Sequence, residues 1–296
     1  MQTLKCNLCG GADYTVVFRA GQAQTNQIVK CNSCGLMYAN PRSIEPDHVG
    51  IANYDADFVE ELLVKNENPR LQKEALQVRD YATTRDFLGK RYPQKGKLLE
   101  VGSGLGYLLD YFRKDGWATT GVEPNRGMCR YAQKVLGVDA IPEILPDAKF
   151  GDASFDAVLM MHVIEHVPDP TDTLTEIHRV LRPGGTLVME TPRYDTLTFK
   201  LLGRRERSVS CDGHIYFFTS DTLARIARKT GFAVIRQDPV GRSLTAGRLL
   251  YNVGVVSKSK GVQKALESAS KALRLDGLHL TLNLHDMERI YLQKAA

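Results

Sequence analysis

The sequence predicts an α/β fold: a mostly parallel sheet flanked by helices, preceded by a small cysteine-paired module. Three observations carry this expectation. From Lys97 to Ile235, short apolar runs of strand type alternate with segments of helical apolar spacing, the rhythm of a parallel sheet covered by helices. The first of those strands runs straight into the glycine turn Gly102-Ser103-Gly104-Leu105-Gly106. Ahead of residue 45, two close cysteine pairs stand in a stretch too short to bury a core of its own.

The 296 residues suit one large domain plus a small one. The expected division is a ribbon module over 1–45, a charged helical linker or lid over 46–94, and the sheet domain over 95–296. That last part carries a helical insertion at about 240–283, where the βα rhythm breaks off. Apolar residues make up 43% and charged residues 25%, ordinary for a soluble globular chain. No apolar run approaches the ~18 residues of a membrane span. The start, Met1-Gln2-Thr3-Leu4-Lys5-Cys6, lacks the apolar stretch of a signal peptide, so a cytoplasmic location is expected. The net charge of +5 is mild: it suits an anionic small acceptor and gives little support to nucleic acid. It says nothing about oligomeric state.

Within the sheet domain, Lys97-Leu98-Leu99-Glu100-Val101 reads as a buried strand, and Leu105, Leu108, Leu109 and Phe112 then recur at helical spacing. Ala118–Val122 and Phe155–Met161 are further strands. Leu174, Ile177 and Leu181 mark one face of a helix that stops before Pro183-Gly184-Gly185, which turns into the strand Thr186-Leu187-Val188-Met189. Thr219 or Ser220 caps a helix reaching Lys229-Thr230, and Gly231 supplies its left-handed end. Ala265-Leu266 and Ala272-Leu273 have helical spacing, and Asp286–Lys294 reads as a last strand. Cys129 and Cys211 stand alone and read as buried thiols.

A strand, a glycine loop and a helix make a nucleotide-binding turn, because glycine lets the backbone approach a ligand with no Cβ in the way. Glu123 ends the next strand, 21 residues after Gly102, where a carboxylate accepts both ribose hydroxyls. The loop is G-x-G-x-G, not the G-x-G-x-x-G of dinucleotide folds. Glu100 opens it, and an acid there repels a pyrophosphate but suits an amino group and a sulfonium.

The run Leu98–Gly106 resembles the first motif of class I S-adenosylmethionine-dependent methyltransferases, and Gly121-Val122-Glu123-Pro124 resembles their ribose-binding segment. Ser154–Val158 is similar to their fourth-strand motif, and Arg179–Gly185 to the turn into their fifth strand. The resemblance covers roughly residues 95–240 and the final strand. It implies a Rossmann-like seven-stranded sheet and S-adenosylmethionine as methyl donor. It places Glu100, Gly102, Ser103, Gly104 and Gly106 at the methionine end, Glu123 and Pro124 at the ribose, and Ile144 and Met161 beside the adenine and the pocket wall.

Cys6-x2-Cys9 and Cys31-x2-Cys34 lie 21 residues apart, and each pair is followed by glycine, Gly10 and Gly35. Two thiolates on each tight turn make a tetrahedral four-thiolate set, which suits structural Zn2+ and leaves no open position for a reaction. The metal would supply folding energy that so short a segment lacks. The ribbon, continuing into Gly35–Tyr38 and Pro41-Arg42, resembles the head of a group of bacterial methyltransferases that act on sugars, lipids and other small metabolites. Its few basic residues, without interleaved aromatics, argue against a nucleic-acid clamp.

Met161-His162-Val163-Ile164-Glu165-His166-Val167 follows a strand of the parallel sheet, and ligands of open α/β sheets bind beyond the carboxyl ends of the strands. His162, Glu165 and His166 are therefore candidates for the acceptor site. His162 and His166 would share a face if the segment were helical. H-x-x-E-H is also an inverted zinc-protease signature, but a strand precedes it directly here and Pro168 and Pro170 follow. Glu165–Pro170 resembles ubiquinone-pathway O-methyltransferases, in which this place holds a divalent metal. His162 stands where that family has a glutamate. His214, in Asp212–Phe218, falls on the same rim. The expected base is His166 or His214, with Glu165 orienting it or binding a divalent metal. Arg193, Arg204, Arg205 and Arg207 are candidates for holding an anionic acceptor. The segments 46–92 and 240–283 are the natural lids.

The function expected is methyl transfer from S-adenosylmethionine to a small molecule, a hydroxyl of a sugar, lipid-linked or other metabolite. The competing readings are an RNA methyltransferase whose ribbon grips nucleic acid, and a non-catalytic cofactor-binding protein.

Overall fold

The computed structural model describes residues 2–42, 78–206, 208–211, 213–247, 249–250, 259–273, 275 and 278–295. The expected linker over 46–94 lies outside these up to residue 77. The ribbon is β1 (Tyr14–Phe18), β2 (Ile28–Cys31) and β3 (Met37–Ala39). A 3-10 turn (Val78–Tyr81) leads into α1 (Ala82–Arg91). Then follow β4 (Lys97–Val101), α2 (Tyr107–Lys114), β5 (Ala118–Val122), α3 (Arg126–Tyr131), β6 (Asp139–Ile141), β7 (Phe155–Met161), α4 (Pro170–Val180) and β8 (Leu181–Pro192). After β8 come α5 (Leu197–Leu202), β9 (Tyr216–Phe217), α6 (Ser220–Lys229), β10 (Phe232–Thr245), α7 (Lys260–Ala272) and β11 (His279–Lys294).

Local chemistry explains these boundaries. Asp169 caps α4 by accepting from the Asp172 amide at 2.9 Å, with Pro170 in the first turn. Thr219, not Ser220, caps α6, in a reciprocal capping box with Thr222. Gly231 closes that helix at φ +88°. β8 pairs with β7 at Leu181 and again from Thr186, and Pro183-Gly184-Gly185 bulges out between.

The large sheet has seven strands in the order β10-β11-β8-β7-β4-β5-β6, as the resemblance implies. β4 pairs in parallel with β5 and β7, and β11 runs antiparallel to both its neighbours. The chain passes from β4 outward to β6 and returns to β7 on the other side of β4. That reversal opens a crevice at the carboxyl ends of β4 and β7. One face of the sheet packs Leu98, Leu159 and Tyr291 against Leu88, Phe112 and Trp117. The other packs Leu99, Val158 and Ile290 against Leu174, Ile177, Leu223 and Ile226.

Two expectations change. Of the segment expected as a helical insertion, 240–283, the described residues are helical over α7 and at 246–247 and 249–250, and residues 248, 251–258, 274 and 276–277 lie outside the described residues. β10 runs on to Thr245 and β11 begins at His279, so the two strands extend their antiparallel pairing well into that segment. Cys129 is buried as expected, its thiol pushed up to about 12 by burial and by Glu123, but Cys211 is exposed.

The ribbon is not an appendage. β9, from beyond β8, joins it as a fourth strand, with Met37 opposite Phe217 and Tyr38 opposite Tyr216. Its buried Cys6, Leu8, Leu36 and Tyr38 belong to the same apolar cluster as α4 and α6. Asn7 donates to Asp169 at 2.7 Å, and Arg225 donates to the Cys34 carbonyl at 3.0 Å.

Candidate active site

The glycine loop sits at the head of β4. Gly102, Gly104 and Gly106 have φ of +74°, +53° and +81°, which only glycine adopts without strain. A Cβ on Gly102 would come within 2.3 Å of Val163 Cγ2, and one on Gly106 within 2.8 Å of Ala132 Cβ. A Cβ on Gly104 would meet nothing within 4 Å, so open space lies before this residue. Glu100 is buried at the end of β4, and the Ser103 side chain is turned inward against Gly121.

Glu123 is buried beside the loop. Its Oε2 accepts from the Gly104 amide at 3.0 Å and its Oε1 from the Asn125 amide at 2.9 Å. These two bonds fix the carboxylate in one orientation. Pro124 and Asn125 carry the chain into α3, with Asn125 capping the Met128 amide at 2.9 Å. Ile144 is half-buried beyond β6. Met161 packs its side chain into the core with Leu108 and Leu159. Val163, which sequence patterning passed over, closes on Gly102.

The segment after β7 is a turn. His162 takes φ +57°, so His162 and His166 do not share a helical face. His162 points to two buried acids, with Nε2 at 3.2 Å from Glu190 and Nδ1 at 3.8 Å from Glu165. Burial works against its charged form, but the neighbouring carboxylates Glu165 and Glu190 outweigh that and raise it to about 9. It is an imidazolium at neutral pH and a poor base.

His166 and His214 stand together. Their rings meet edge to face with centroids 4.6 Å apart. His166 Nδ1 is 2.7 Å from the Gly213 carbonyl, which can only accept, so Nδ1 carries the proton and Nε2 keeps its lone pair. His214 is buried, with Nδ1 3.3 Å from the Tyr194 hydroxyl. Burial is the main cause of its lowered pKa, about 4, so it is neutral at pH 7. Glu165 Oε2 accepts from Thr191 Oγ1 at 2.9 Å, and the buried Oε1 makes no hydrogen bond. Burial opposes its charge, but the neighbouring histidines, His162 first, hold it below the ordinary carboxylate range. One donor atom from each of Glu165, His166 and His214 lies within 4.8 Å of the others. The third member beside Glu165 and His166 is thus His214 and not His162.

The supporting groups come from far along the chain. Glu190 of β8 receives two guanidinium hydrogen bonds from Arg289 of β11, at 2.8 and 2.6 Å. Gln24 of the ribbon donates to the His214 carbonyl at 3.1 Å, and Arg42 bonds the Tyr216 hydroxyl at 2.8 Å and the Pro168 carbonyl at 2.7 Å. A lone Glu within the apolar run of β8 was the available signal for Glu190. Nothing local marks Gln24 or Tyr194. Of the basic candidates, Arg193 is tied to Asp195 at 2.9 Å, Arg204 and Arg205 are exposed, and Arg207 lies outside the described residues.

In the ribbon, Cys6 and Cys34 sulfurs are 3.4 Å apart and those of Cys9 and Cys31 3.5 Å, and all four lie within 4.8 Å of one another. Gly10 and Gly35 take φ of +76° and +80° to turn each knuckle. The Gly11 amide reaches the Cys9 sulfur at 3.4 Å, and the Leu8 and Cys9 amides face the Cys6 sulfur. Burial raises the Cys6 and Cys34 thiols, whereas for Cys31 the backbone and thiol hydrogen bonds outweigh burial and lower it to about 7.

Residues 72–237 match the family described as a methyltransferase domain. An uncharacterized methyltransferase of Mycobacterium avium is 36% identical over 140 residues, 45% of this chain and 51% of that one. A ubiquinone biosynthesis O-methyltransferase of Paracidovorax citrulli is 29% identical over 119 residues, 36% of this chain and 48% of that one. The match thus spans about half the length of these relatives. Among solved structures, the 1,6-didemethyltoxoflavin-N1-methyltransferase of Burkholderia thailandensis, bound to its substrate and S-adenosylhomocysteine, shares the fold, with a TM-score of 0.51, 18% identity and coverage of 90% of this chain and 97% of that one. Matched over more than half its length and built on the same seven-stranded sheet, the chain belongs to the methyltransferase-domain family, within the class I S-adenosylmethionine-dependent methyltransferases.

Proposed function

We propose that this protein transfers a methyl group from S-adenosylmethionine to a hydroxyl of a small-molecule acceptor, and that the proton is removed at the His166–His214 pair. The carrying observation is the position of that pair and Glu165, on the same rim of the sheet as the glycine loop and Glu123. The open space before Gly104 and the fixed Glu123 carboxylate fit an adenosine joined to an amino acid. Glu123 would hold the ribose hydroxyls, and Gly102, Gly104 and Gly106 the methionine end. Glu100 would face the amino group, and Pro124, Ile144 and the Met161 backbone would flank the rest. When bound, the sulfonium supplies a methyl group already activated for displacement. The chain's own task is to align the acceptor, keep water out and take the proton.

His166 is the better base, because its Nε2 lone pair is left free by the Gly213 hydrogen bond. His214, with its pKa near 4, is better suited to binding and orienting the acceptor. A second reading rests on the convergence of Glu165, His166 and His214, two imidazoles and a carboxylate whose buried Oε1 accepts no hydrogen bond. These residues would hold a divalent cation, whose charge would acidify the acceptor hydroxyl in place of a neutral base. The four ribbon cysteines fit structural Zn2+.

The test is transfer of labelled methyl to pools of sugars, lipids, quinones and RNA, with and without chelator. Label in small molecules is expected, and label confined to RNA would overturn the acceptor class. Loss of turnover on chelation with the ribbon metal retained would select the divalent-cation reading. Glu123→Ala is expected to weaken cofactor binding about 10- to 100-fold, the value of hydrogen bonds to a charged group, as read by calorimetry.

A further inference from the structure

α5 is short, capped by Thr196 through the Phe199 amide at 3.1 Å, and unusually apolar on its outside. Leu197 is 69% exposed, Leu201 75% and Leu202 46%. Single exposed leucines are common, but three within six residues form a patch that needs a reason. The cations Lys200, Arg204 and Arg205 are exposed among and just after them. The return of the chain is fixed by Glu206, which accepts from the Ser208 and Val209 amides at 2.7 and 3.0 Å. Bulky exposed apolar side chains beside exposed basic ones are complementary to the acyl boundary and anionic headgroups of a bilayer. A second copy of this chain, with net charge +5, would bring like charges together at the same patch.

The patch is one layer from the candidate active site. Phe199, on the inner side of α5, meets the Tyr194 ring at a centroid distance of 5.7 Å, and the Tyr194 hydroxyl reaches His214 Nδ1.

We propose that α5 and the basic turn after it dock this protein on an anionic membrane surface, Leu197, Leu201 and Leu202 entering the interface and Lys200, Arg204 and Arg205 meeting lipid phosphates. Docking stands independently of the methyl-transfer reading. Only its consequence, that a lipid-linked acceptor reaches His214 from the membrane side past Tyr194, rests on that reading.

The test is co-sedimentation of the full chain with phosphatidylcholine vesicles, with and without phosphatidylglycerol. Binding is expected only with phosphatidylglycerol and is expected to weaken with salt. Arg204→Gln with Arg205→Gln should lower the partition coefficient about thirtyfold, about fivefold for each cation. Leu197→Ser with Leu201→Ser should reduce it to background. Both pairs lie on the surface, so S-adenosylmethionine affinity, measured alongside, stays at the wild-type value and reports intact folding. The proposal is overturned if wild-type protein ignores phosphatidylglycerol, if either variant pair binds as wild type, or if the leucines turn out to close a dimer that the serine variant dissociates. Failure of methyl transfer with vesicle binding intact would instead count against the reading of the catalytic rim.

Discussion

His166 and His214 meet edge to face at 4.6 Å, one carried by the turn after β7 and the other by the loop before β9. Each uses Nδ1 for a fixed partner, the Gly213 carbonyl and the Tyr194 hydroxyl, which holds both rings in place.

This pairing predicts that His166→Ala and His214→Ala each lower kcat by about 10²- to 10⁴-fold, the usual worth of a positioned proton acceptor or its partner. Cofactor affinity should hold, because Glu123 and the glycine loop lie on other strands. Turnover and calorimetry on the same preparations check both halves. Wild-type kcat in both variants would remove the proton-transfer role from this rim.

The glycine loop and Glu123 were legible because their chemistry is local: a strand, a turn needing positive φ, and an acid ending the next strand. The cysteine pairs were legible for the same reason, since metal spacing is written along the chain. The support of His214 was not. Gln24 reaches its carbonyl from the ribbon and Tyr194 its ring from the end of β8, and such contacts depend on how distant segments fold back. The strand pairing of β10 and β11 beyond Val240 was also missed. A ladder that far from the sheet is set by its partner strand, not by an apolar pattern facing a core.

Because β3 pairs with β9 next to His214, a metal held by the four ribbon cysteines should act on catalysis at a distance. If the four cysteines hold zinc as proposed, stripping it removes the ~10 kcal/mol or more that such a site gives to folding, so the ribbon loosens and Tyr216 loses Tyr38 and Arg42. Chelation, or Cys9→Ser, is expected to cut kcat at least tenfold while S-adenosylmethionine affinity changes less than about threefold. Metal content by mass spectrometry must fall in parallel. Equal loss of both readouts would mean that the ribbon holds the whole domain together and has no selective effect on the acceptor rim.

The Glu190–Arg289 pair supplies a stability prediction with a definite sign. Both side chains are buried, and burial alone would raise the Glu190 carboxyl. His162 and Arg289 outweigh it and hold it at about 2, below its ordinary 4.5. A carboxyl with a depressed folded pKa stabilises fully above its unfolded pKa and loses that contribution as pH falls from about 4.5 toward 2. The shift corresponds to roughly 3 kcal/mol. Glu190→Gln leaves the Arg289 guanidinium buried without its counter-charge, and the expected cost at pH 7 is about 3–5 kcal/mol by urea unfolding. The gap between wild type and variant should narrow as pH falls through that window, because the wild type loses there what the variant never had. Replacing both partners with apolar residues of similar size, Glu190→Leu with Arg289→Met, should recover most of the loss, since neither charge is then stranded. A gap that stays constant from pH 7 to pH 3 would show that the ion pair is not what holds β11 against β8.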